Sequence, residues 1–394
     1  MLYRKIKKLH TKCLFCSDHL SSVLDIKSTS AVIFFTLRFK QLIRAPNAMT
    51  ATLADVAKKA GVSAKTASRV VNGEDSVRAS TREKVEAAVQ SLGYRPNLAA
   101  KGLASKRTFL ISFVCNEEAA ASTWATQIHM GILRRCREAG YQGLFYAIPK
   151  SIKGHSAMVE DVAQHLWGTR VEGAVLAPPL SDDVVLHKRL QALDIPWAGL
   201  NTVKDNPSNM PIIRTDDLKS SRDVMAHLLG LGHRKIAFIC AHPDSKDGAF
   251  REQGYRSAMR DAGIIIERNW VQQGFNSFAS GFEAARTILA STDQRPTAIF
   301  AANDDMAAGV ISAAHEAGLS LPKELSVVGF DDSVIAEQLW PPLTTVRQPV
   351  NQMAETSTEL LIERLKTGTN RITGVTMSMD LIIRGSTAEP PKQP

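Results

Sequence analysis

The first strong pattern of apolar and polar positions begins at Leu53 and has the period of an amphipathic helix. Four apolar residues occupy the i, i+3, i+4 and i+7 positions of one face: Leu53, Val56, Ala57 and Ala60. Gly61 interrupts the pattern, because glycine adopts positive φ angles without steric cost. Ser63 then stands where it can cap a second helix over residues 64–71, which Asn72 and Gly73 end.

A third helix is predicted after a short loop. Residues 80–83 read Ser-Thr-Arg-Glu, a capping-box pattern that opens a helix, and Gly93 is placed to end it. The apolar face of this helix consists of Val85, Ala88, Val89 and Leu92. Two helices joined by a tight glycine turn and supported by a third form the helix-turn-helix arrangement of many DNA-binding domains.

Beyond residue 108, short apolar runs alternate with helical patterns, which is typical of βαβ units with parallel strands. The predicted strands are Phe109–Val114, Leu144–Ile148, Gly173–Ala177, Pro196–Leu200, Lys235–Cys240, Thr297–Ala302 and Ser326–Phe330. The predicted helices include Ala125–Ala139, Leu218–Leu231, Glu252–Ala262, Asp304–Ala317 and Asn351–Lys366. Two groups of about four strands predict two lobes with a ligand cleft at the strand carboxyl ends. The expected fold class is an N-terminal all-α helix-turn-helix domain followed by an α/β core of two doubly wound parallel-sheet lobes.

The formal charge of +9 is distributed unevenly along the chain. Residues 1–48 carry +7, residues 49–108 carry +6, and the remainder carries −4. Clustered Lys and Arg attract phosphate, so the front of the chain is expected to meet nucleic acid and the acidic body is not. No apolar run is long enough to span a membrane or has the form of an export signal, which predicts a cytoplasmic protein.

The cysteines predict neither a disulfide framework nor a metal site. Five cysteines are few for a chain of 394 residues. Cys13 and Cys16 are spaced like half of a zinc site, but no second pair accompanies them. Cys115, Cys136 and Cys240 fall on apolar sides of predicted strands and a helix, where core packing is expected. We therefore expect no metal and no cofactor.

Five segments are predicted along the chain. Residues 1–48 show no helix or strand period and precede Met49, so they are either a basic arm or, as we favour, a stretch upstream of the true start of translation. The other segments are the helix-turn-helix domain at 49–95, an alanine-rich connector at 96–108, the two-lobed core at 109–385 and a proline-rich tail at 386–394 that is expected to be disordered.

Several long motifs resemble those of the lactose/galactose repressor family and occur in that family's order. Residues 52–72 read Thr-Leu-Ala-Asp-Val-Ala-Lys-Lys-Ala-Gly-Val-Ser-Ala-Lys-Thr-Ala-Ser-Arg-Val-Val-Asn, and Thr81-Arg-Glu-Lys-Val-Glu-Ala-Ala follows. Further similar motifs begin at Leu92, Leu229, Ala302, Ser326 and Pro342. The resemblance runs from Thr52 to Arg384. It implies a dimeric DNA-binding regulator whose effector core is similar to periplasmic binding proteins.

The resemblance also implies how the chain meets DNA. The second helix enters the major groove, where Ala64, Lys65 and, one turn later, Arg69 reach base edges. Lys and Arg bond guanine, whereas alanine offers only an apolar contact. Ser63, Thr66 and Asn72 are expected to bond phosphates and to set the register.

The connector holds the family's hinge segment, in which a leucine wedges into the minor groove of the operator. Leu103 has the matching place, and Asn97 and Ala100 line the same surface. An inserted apolar side chain kinks the duplex and lets it contact more protein. The alternative is that Leu103 docks onto the core.

Sugar sites need carboxylate and amide groups for vicinal hydroxyls and an aromatic face for the ring. The residues at matching family positions are Asp331, Arg251, Asn201, Asn303 and Gln348, with Trp124 as the candidate aromatic. Asn276 stands where relatives carry Trp or Phe, which argues against a nucleobase and for a polyhydroxylated ligand. Phe275 or Phe278 can still supply an aromatic face. Four other polar residues are expected to be structural: Asp304 and Asp305 as helix caps, and His233 and His242 beside a strand.

These features predict a homodimeric repressor of carbohydrate-utilisation genes that a sugar effector releases from a roughly palindromic operator. The effector closes the lobes so that the hinge segments no longer pair over the DNA. Two alternatives stay open: a purine-type regulator whose ligand promotes DNA binding, and a cytoplasmic solute-binding protein. The chain has no nucleophile elbow, P-loop or dinucleotide fingerprint, so no enzyme is predicted. The tail has no leucine heptads, which favours a dimer over a tetramer.

Overall fold

The computed structural model describes residues 51–71, 73, 76–95, 102, 107–202, 209–290, 295–369 and 374–392. The chain divides into two units, with the boundary between Asn97 and Leu98. Seven residues named above lie outside the described residues: Cys13, Cys16, Met49, Asn72, Asn97, Ala100 and Leu103.

The first unit begins with the predicted helix-turn-helix. Helix α1 spans Leu53–Ala60 and starts with a reciprocal cap between Thr52 and Asp55, in which the Asp55 amide donates to Thr52 Oγ1 and the Thr52 amide to the Asp55 carboxylate. Gly61 has φ 66°, the left-handed conformation that the turn requires. Helix α2 spans Ala64–Val71, and its Thr66 amide donates to Ser63 Oγ at 3.1 Å, which confirms the predicted cap.

The capping box predicted for the third helix is wrong. Helix α3 spans Ala79–Leu92 and follows Arg78, which makes no side-chain cap bond. Because the helix starts before Ser80, that serine already has helical backbone geometry and cannot serve as the cap. The three helices share a small core: Val56, Ala57, Ala67, Val70, Val85 and Ala88.

The second unit contains two lobes, and the first is built on a six-stranded parallel sheet. Its strands are β1 (Leu110–Asn116), β2 (Gln142–Ile148), β3 (Gly173–Leu176), β4 (Trp197–Leu200), β5 (Ile212–Thr215) and β11 (Gly374–Met377), in the order β11-β5-β4-β3-β1-β2. Its helices are α4 (Glu117–Ala120), α5 (Thr123–Ala139), α6 (His155–Gly168), α7 (Val184–Ala192) and α13 (Val350–Thr367). Strands β3 and β4 are entirely buried because helices cover both faces of the sheet.

The second lobe has a four-stranded parallel sheet in the order β7-β6-β8-β9. Its strands are β6 (Ile236–Cys240), β7 (Val271–Gln273), β8 (Ala298–Ala301) and β9 (Ser326–Val328). Its helices are α8 (Asp217–Gly230), α9 (Lys246–Asp261), α10 (Phe278–Leu289), α11 (Asp304–Glu316) and α12 (Val334–Gln338). All seven predicted strands are therefore present, and the first sheet is larger than the four strands expected.

The chain passes between the lobes three times: after Thr215, after Arg347 and after Met377. Strand β10 (Thr345–Arg347) leads into the second passage and pairs antiparallel with β12 (Asp380–Ile382), which follows the third. These passages place polar side chains from both lobes beside one another, at the carboxyl ends of the strands.

The prediction of a disordered tail is wrong for residues 386–388. Ser386 is buried, and its hydroxyl donates to the Val327 carbonyl at 2.6 Å while accepting from the Thr344 amide. The Ala388 carbonyl accepts from Nε2 of His233 at 2.9 Å. The segment continues past β12 along the second lobe, and its backbone groups find partners there despite the prolines that follow.

The described cysteines pack in the two cores, as predicted. Cys115 and Cys136 are fully buried and Cys240 is half-buried against the second core. Burial raises the pKa of each thiol to about 12, so all three are protonated and unreactive at neutral pH. Among the described residues, no helix is both long and apolar enough to cross a bilayer.

Helices α10 and α11 approach so closely that each carries a glycine at the contact. A Cβ at Gly281 would overlap the backbone of Met306, and one at Gly309 would overlap the backbone of α10. We expect Gly281→Ala to lower the free energy of unfolding by about 1–3 kcal/mol, since the helices must separate. Urea denaturation measures the change. Gly230→Ala, at an open helix end in the same lobe, is the control, and equal effects of the two substitutions would contradict the prediction.

Candidate functional site

A buried guanidinium lies at the centre of the core unit. Arg251 of α9 is 5% exposed, and its Nε donates to Asp217 Oδ1 at 2.8 Å. Its Nη1 donates to the Ala302 carbonyl at 2.6 Å, and its carbon Cζ lies 3.7 Å from the centre of the Phe330 ring. These contacts fix the plane of the guanidinium, since a planar fork bonded on two edges has little freedom to rotate.

Two further carboxylates approach the same guanidinium without hydrogen-bonding to it. Asp331 Oδ1 lies 3.6 Å from Nη1 of Arg251, and Asp247 Oδ2 lies 3.8 Å from Nη2. Gln348 Nε2 donates to Asp331 Oδ1 at 2.6 Å, and Asn201 Nδ2 lies 3.5 Å from Asp247 Oδ2. Four of the predicted effector residues thus belong to one connected cluster, which we call the Arg251 cluster: Asn201, Asp217, Asp247, Arg251, Asp331 and Gln348.

The Arg251 cluster spans both lobes. Asn201 follows β4 of the first lobe, whereas Asp247 lies in the first turn of α9 in the second. Lys246 of α9 also reaches across, with its Nζ 3.0 Å from Asp182 Oδ2 of the first lobe. A cavity of about 280 Å³ adjoins the cluster and is lined by Asn201, Arg214, Thr215, Asp217, Asp247 and Phe250, among others. Its size suits a small ligand.

Burial changes the acidity of the carboxyls in the Arg251 cluster. Loss of solvation raises the pKa of Asp217 above the usual carboxyl range, and the charge of Arg251 opposes that rise. The same two causes act on the pKa of Asp331, which is also raised. Charged groups with shifted acidity in a cavity are typical of binding sites.

Non-glycine residues with positive φ angles concentrate around the cluster. Asp331 has φ 114°, Asp332 φ 54°, Asn201 φ 47° and Asn276 φ 55°. Such conformations cost energy and persist where surrounding contacts hold them, often at ligand sites. Asp332 is held by Arg347 at 2.6 Å and Arg384 at 2.7 Å, which fixes the turn that presents Asp331.

Asn303 and Asn276 lie beside the cluster in the second lobe. Asn303 caps α11 through a 2.9 Å bond from the Met306 amide, and its Nδ2 donates to the Asn276 carbonyl at 3.2 Å. Asn276 Oδ1 accepts from the His242 amide at 3.1 Å. The Asn303 amide and the side-chain oxygen of Asn276 are thus already engaged within the protein.

The expectation that Asp304 caps α11 is wrong, because Asn303 fills that role. The buried carboxylate of Asp304 instead accepts from the Ser333 amide at 2.7 Å, from the Ser333 hydroxyl at 3.1 Å and from Thr345 Oγ1 at 2.6 Å. It joins the turn after β9, two residues past Asp331, to strand β10. Asp305 lies in the first turn of α11, where a carboxylate faces the positive end of the helix dipole.

The candidate aromatic residues are not in the Arg251 cluster. Trp124, in the first turn of α5, packs half-buried against the core of the first lobe. Phe275 and Phe278 are about half exposed, and Phe275 packs edge-on against His242. The aromatic ring that contacts Arg251 is that of Phe330, the last residue of a predicted strand, which the sequence does not single out as a site residue.

Asp217 and Asp247 were also missed. Asp217 follows β5, a four-residue strand too short for its pattern to be detected, although a carboxylate after a strand is the signal expected of a cleft residue. Asp247 lies four residues before Arg251 on α9. That spacing places the two side chains on one helix face.

The predicted DNA-reading positions lie on the outward face of α2. Ser63, Ala64, Lys65 and Arg69 are exposed, and Thr66 is half-buried with its hydroxyl 2.9 Å from Ser63 Oγ. The opposite face of α2 buries Ala67 and Val70. The helix therefore presents a polar, basic surface while its apolar side holds it to the domain.

The chain is firmly anchored where it leaves the predicted hinge. Arg107 Nη2 donates to Glu172 Oε2 and to the Tyr141 hydroxyl, both at 2.6 Å. Glu172 Oε1 also accepts from the Thr108 and Phe109 amides, each at 2.9 Å. Arg107 thus has a structural partner in the first lobe, and the end of the connector is tied to the sheet.

Two family models match the chain in its two units. The model for bacterial regulatory proteins of the lacI family matches residues 52–97, and that for the periplasmic binding protein-like domain matches residues 225–387. The HTH-type transcriptional repressor PurR of Photobacterium profundum is 31% identical over 85% of this chain and 98% of its own length. The chain belongs to the LacI family. DegA of Bacillus subtilis (strain 168), an HTH-type transcriptional regulator, is 34% identical over 77% of this chain and 88% of its own length.

Solved structures of LacI-family members share the fold. The lac repressor dimer bound to operator and the anti-inducer ONPF superposes with a TM-score of 0.69 at 31% identity, covering 86% of this chain and 99% of that one. The CelR–cellobiose complex superposes with a TM-score of 0.64 at 30% identity, covering 85% of this chain and 99% of that one. The family consists of DNA-binding transcription regulators, so this chain is a transcription regulator and not an enzyme.

Asp304 should make stability depend on pH. Burial raises its pKa to about 7, against the bonds from Thr345 and Ser333 that favour the ionised form. The folded state then holds a proton that the unfolded state has lost, so stability falls as the pH rises from 3.8 to about 7. We expect the free energy of unfolding to fall less steeply with pH in Asp304→Asn than in the unsubstituted protein. Urea unfolding across that pH range measures both slopes. An unchanged slope in the variant would contradict this role of Asp304.

Proposed function

We propose that this LacI-family regulator acts in the cytoplasm as a homodimer and represses carbohydrate-utilisation genes until a sugar releases it from a roughly palindromic operator. The Arg251 cluster is the observation that carries the effector part of the proposal. It sets the Asn201 amide of the first lobe and the Asp217 and Asp247 carboxyl groups of the second beside a cavity, and such groups bond vicinal hydroxyls in pairs.

Relatives support a sugar as the ligand class. The CelR structure is a complex with cellobiose, and the LacI-family regulator of Enterococcus faecium was solved with ribose. The ribose operon repressor of Escherichia coli (strain K12) is 30% identical over 85% of this chain and 99% of its own length. Asn276, in place of an aromatic residue, leaves that position without a ring to stack on a nucleobase.

The switch that we propose has two states. A ligand that contacts Asn201 in one lobe and Asp331 in the other binds best when the lobes are closed, and it shifts the population toward that state. Only a ligand with unequal affinity for the two states changes DNA binding. The roles of Leu103, Asn97 and Ala100 in the hinge, and of Asn72 on the phosphates, remain predictions of the sequence.

A corepressor of the purine type is the second candidate, favoured by the match to a PurR repressor. In that case the ligand strengthens DNA binding instead of weakening it. A solute-binding protein is disfavoured by the helix-turn-helix domain, which such a protein does not need.

Lys65 should contribute sequence discrimination on DNA. We expect Lys65→Ala to weaken binding to operator sites selected from a random duplex pool by about 1–3 kcal/mol and to relax the preference at one base pair. Fluorescence anisotropy at fixed salt concentration measures both. Lys84→Ala, an exposed lysine of α3, is the matched control. Equal losses of affinity in the two variants would contradict a base-specific role for Lys65 and show only a non-specific attraction to the phosphates.

Asp331 should be required for the effector response. A thermal-shift panel of sugars, sugar phosphates, nucleosides and purines should show a sugar that raises the melting temperature, since a ligand that binds only the folded state stabilises it. The shift should disappear in Asp331→Asn and persist in Asp244→Asn, whose side chain is 77% exposed. A panel in which only purines stabilise the protein would contradict the sugar proposal.

A further inference from the structure

The Arg251 cluster contains more carboxyl groups than cationic groups. One guanidinium faces three carboxylates, and only Asp217 receives a hydrogen bond from it. Asp247 and Asp331 lie within ion-pair distance of the guanidinium, yet their side chains remain 19% and 20% exposed. Each still has oxygen lone pairs available to a ligand.

The other cations near the cavity do not remove this excess. Lys246 pairs with the buried Asp182 at 3.0 Å, and Arg214 and Asp216 line the cavity together. Among the described residues, the cluster and its neighbours include three cations and five carboxyl groups: Arg214, Lys246 and Arg251 against Asp182, Asp216, Asp217, Asp247 and Asp331. Burial raises the pKa of Asp217 and Asp331, and a cationic ligand beside them favours their ionised forms. Low local polarity strengthens the field of an unbalanced charge.

The available hydrogen-bonding groups are mainly acceptors. Besides the two carboxylates, Gln348 Oε1 is buried and has no hydrogen-bond partner among the described residues. A buried acceptor without a donor is costly, so a ligand gains affinity by supplying one. Hydroxyl and ammonium groups donate hydrogen bonds, whereas phosphate and carboxylate groups bring acceptors and further negative charge.

Resting on the proposed sugar function, we infer that the effector is a sugar or polyol bearing a protonated amine, and that the cleft excludes phosphorylated and carboxylated sugars. The ammonium faces Asp247 and Asp331, and the hydroxyls bond the amides of Asn201 and Gln348. Asp247 is then a specificity-determining residue, because it is the carboxyl group that α9 adds to the cluster and its side chain is 19% exposed.

The first experiment compares ligands that share a ring and differ in charge. Calorimetric titration at neutral pH and fixed ionic strength uses glucose, glucosamine and glucose 6-phosphate, with matched galactose and ribose series. In the series that binds, the amine should bind about tenfold tighter than the neutral sugar, and the phosphate about tenfold weaker. A neutral or phosphorylated member that binds as tightly as the amine overturns the inference.

The second experiment does not depend on the identity of the ring. The three-carbon probes serinol, glycerol and glycerol 2-phosphate are cationic, neutral and anionic versions of one polyol fragment. Serinol should raise the melting temperature most, and this excess should vanish in Asp247→Asn while persisting in Asp244→Asn. A serinol effect that is the same in all three proteins, or a larger effect of glycerol 2-phosphate, overturns the inference.

The two experiments separate the failure of each proposal. If no ring sugar binds but serinol stabilises the protein through Asp247, the sugar effector is wrong and the charge selectivity stands. If a sugar binds and releases DNA while its amine has no advantage, the proposed function stands and the inference is wrong.

Discussion

The core unit depends on one buried guanidinium at the place where its two lobes meet. Arg251 is held by the Asp217 carboxylate and the Ala302 carbonyl, so it ties the start of α8 to the end of β8. A buried charge is tolerated only when paired and hydrogen-bonded, and removal of a partner leaves a costly unpaired ion. The same guanidinium has Asp247, which lines the cavity, at 3.8 Å and Asp331 at 3.6 Å, so it is the common neighbour of both carboxyl groups.

The two ends of the proposed switch are rigid for different reasons. In the effector core, Asp304 joins the turn before α12 to β10 and so holds the segment that carries Asp331. At the junction with the predicted hinge, Glu172 binds Arg107 together with two backbone amides. In the proposed switch, these bonds connect the first lobe to the residue from which the connector departs. Rigid ends of this kind are what a two-state mechanism requires.

The sequence was most informative where the elements are long and their patterns regular. The helix-turn-helix and all seven predicted strands could be read from apolar spacing and glycine positions, and motif order indicated Arg251, Asp331, Gln348 and Asn201. Strands of three or four residues, such as β5, carry too few positions to show a period. Asp217 was missed because it meets Arg251 only through the packing of α8 against α9. Asp247 was missed although it lies one helical turn before Arg251, because its importance depends on that shared partner. Asp304 was misassigned because its three donors come from two distant segments.

The central claim is that effector binding in the core and operator binding by α2 are thermodynamically coupled. The most direct measurement determines the affinity for a selected operator duplex with and without a saturating sugar from the panel, and the affinity for that sugar with and without saturating duplex. The account predicts that both affinities fall by the same factor, of the order of 5–150. A sugar that binds at the Arg251 cluster and leaves the affinity for DNA unchanged would contradict it.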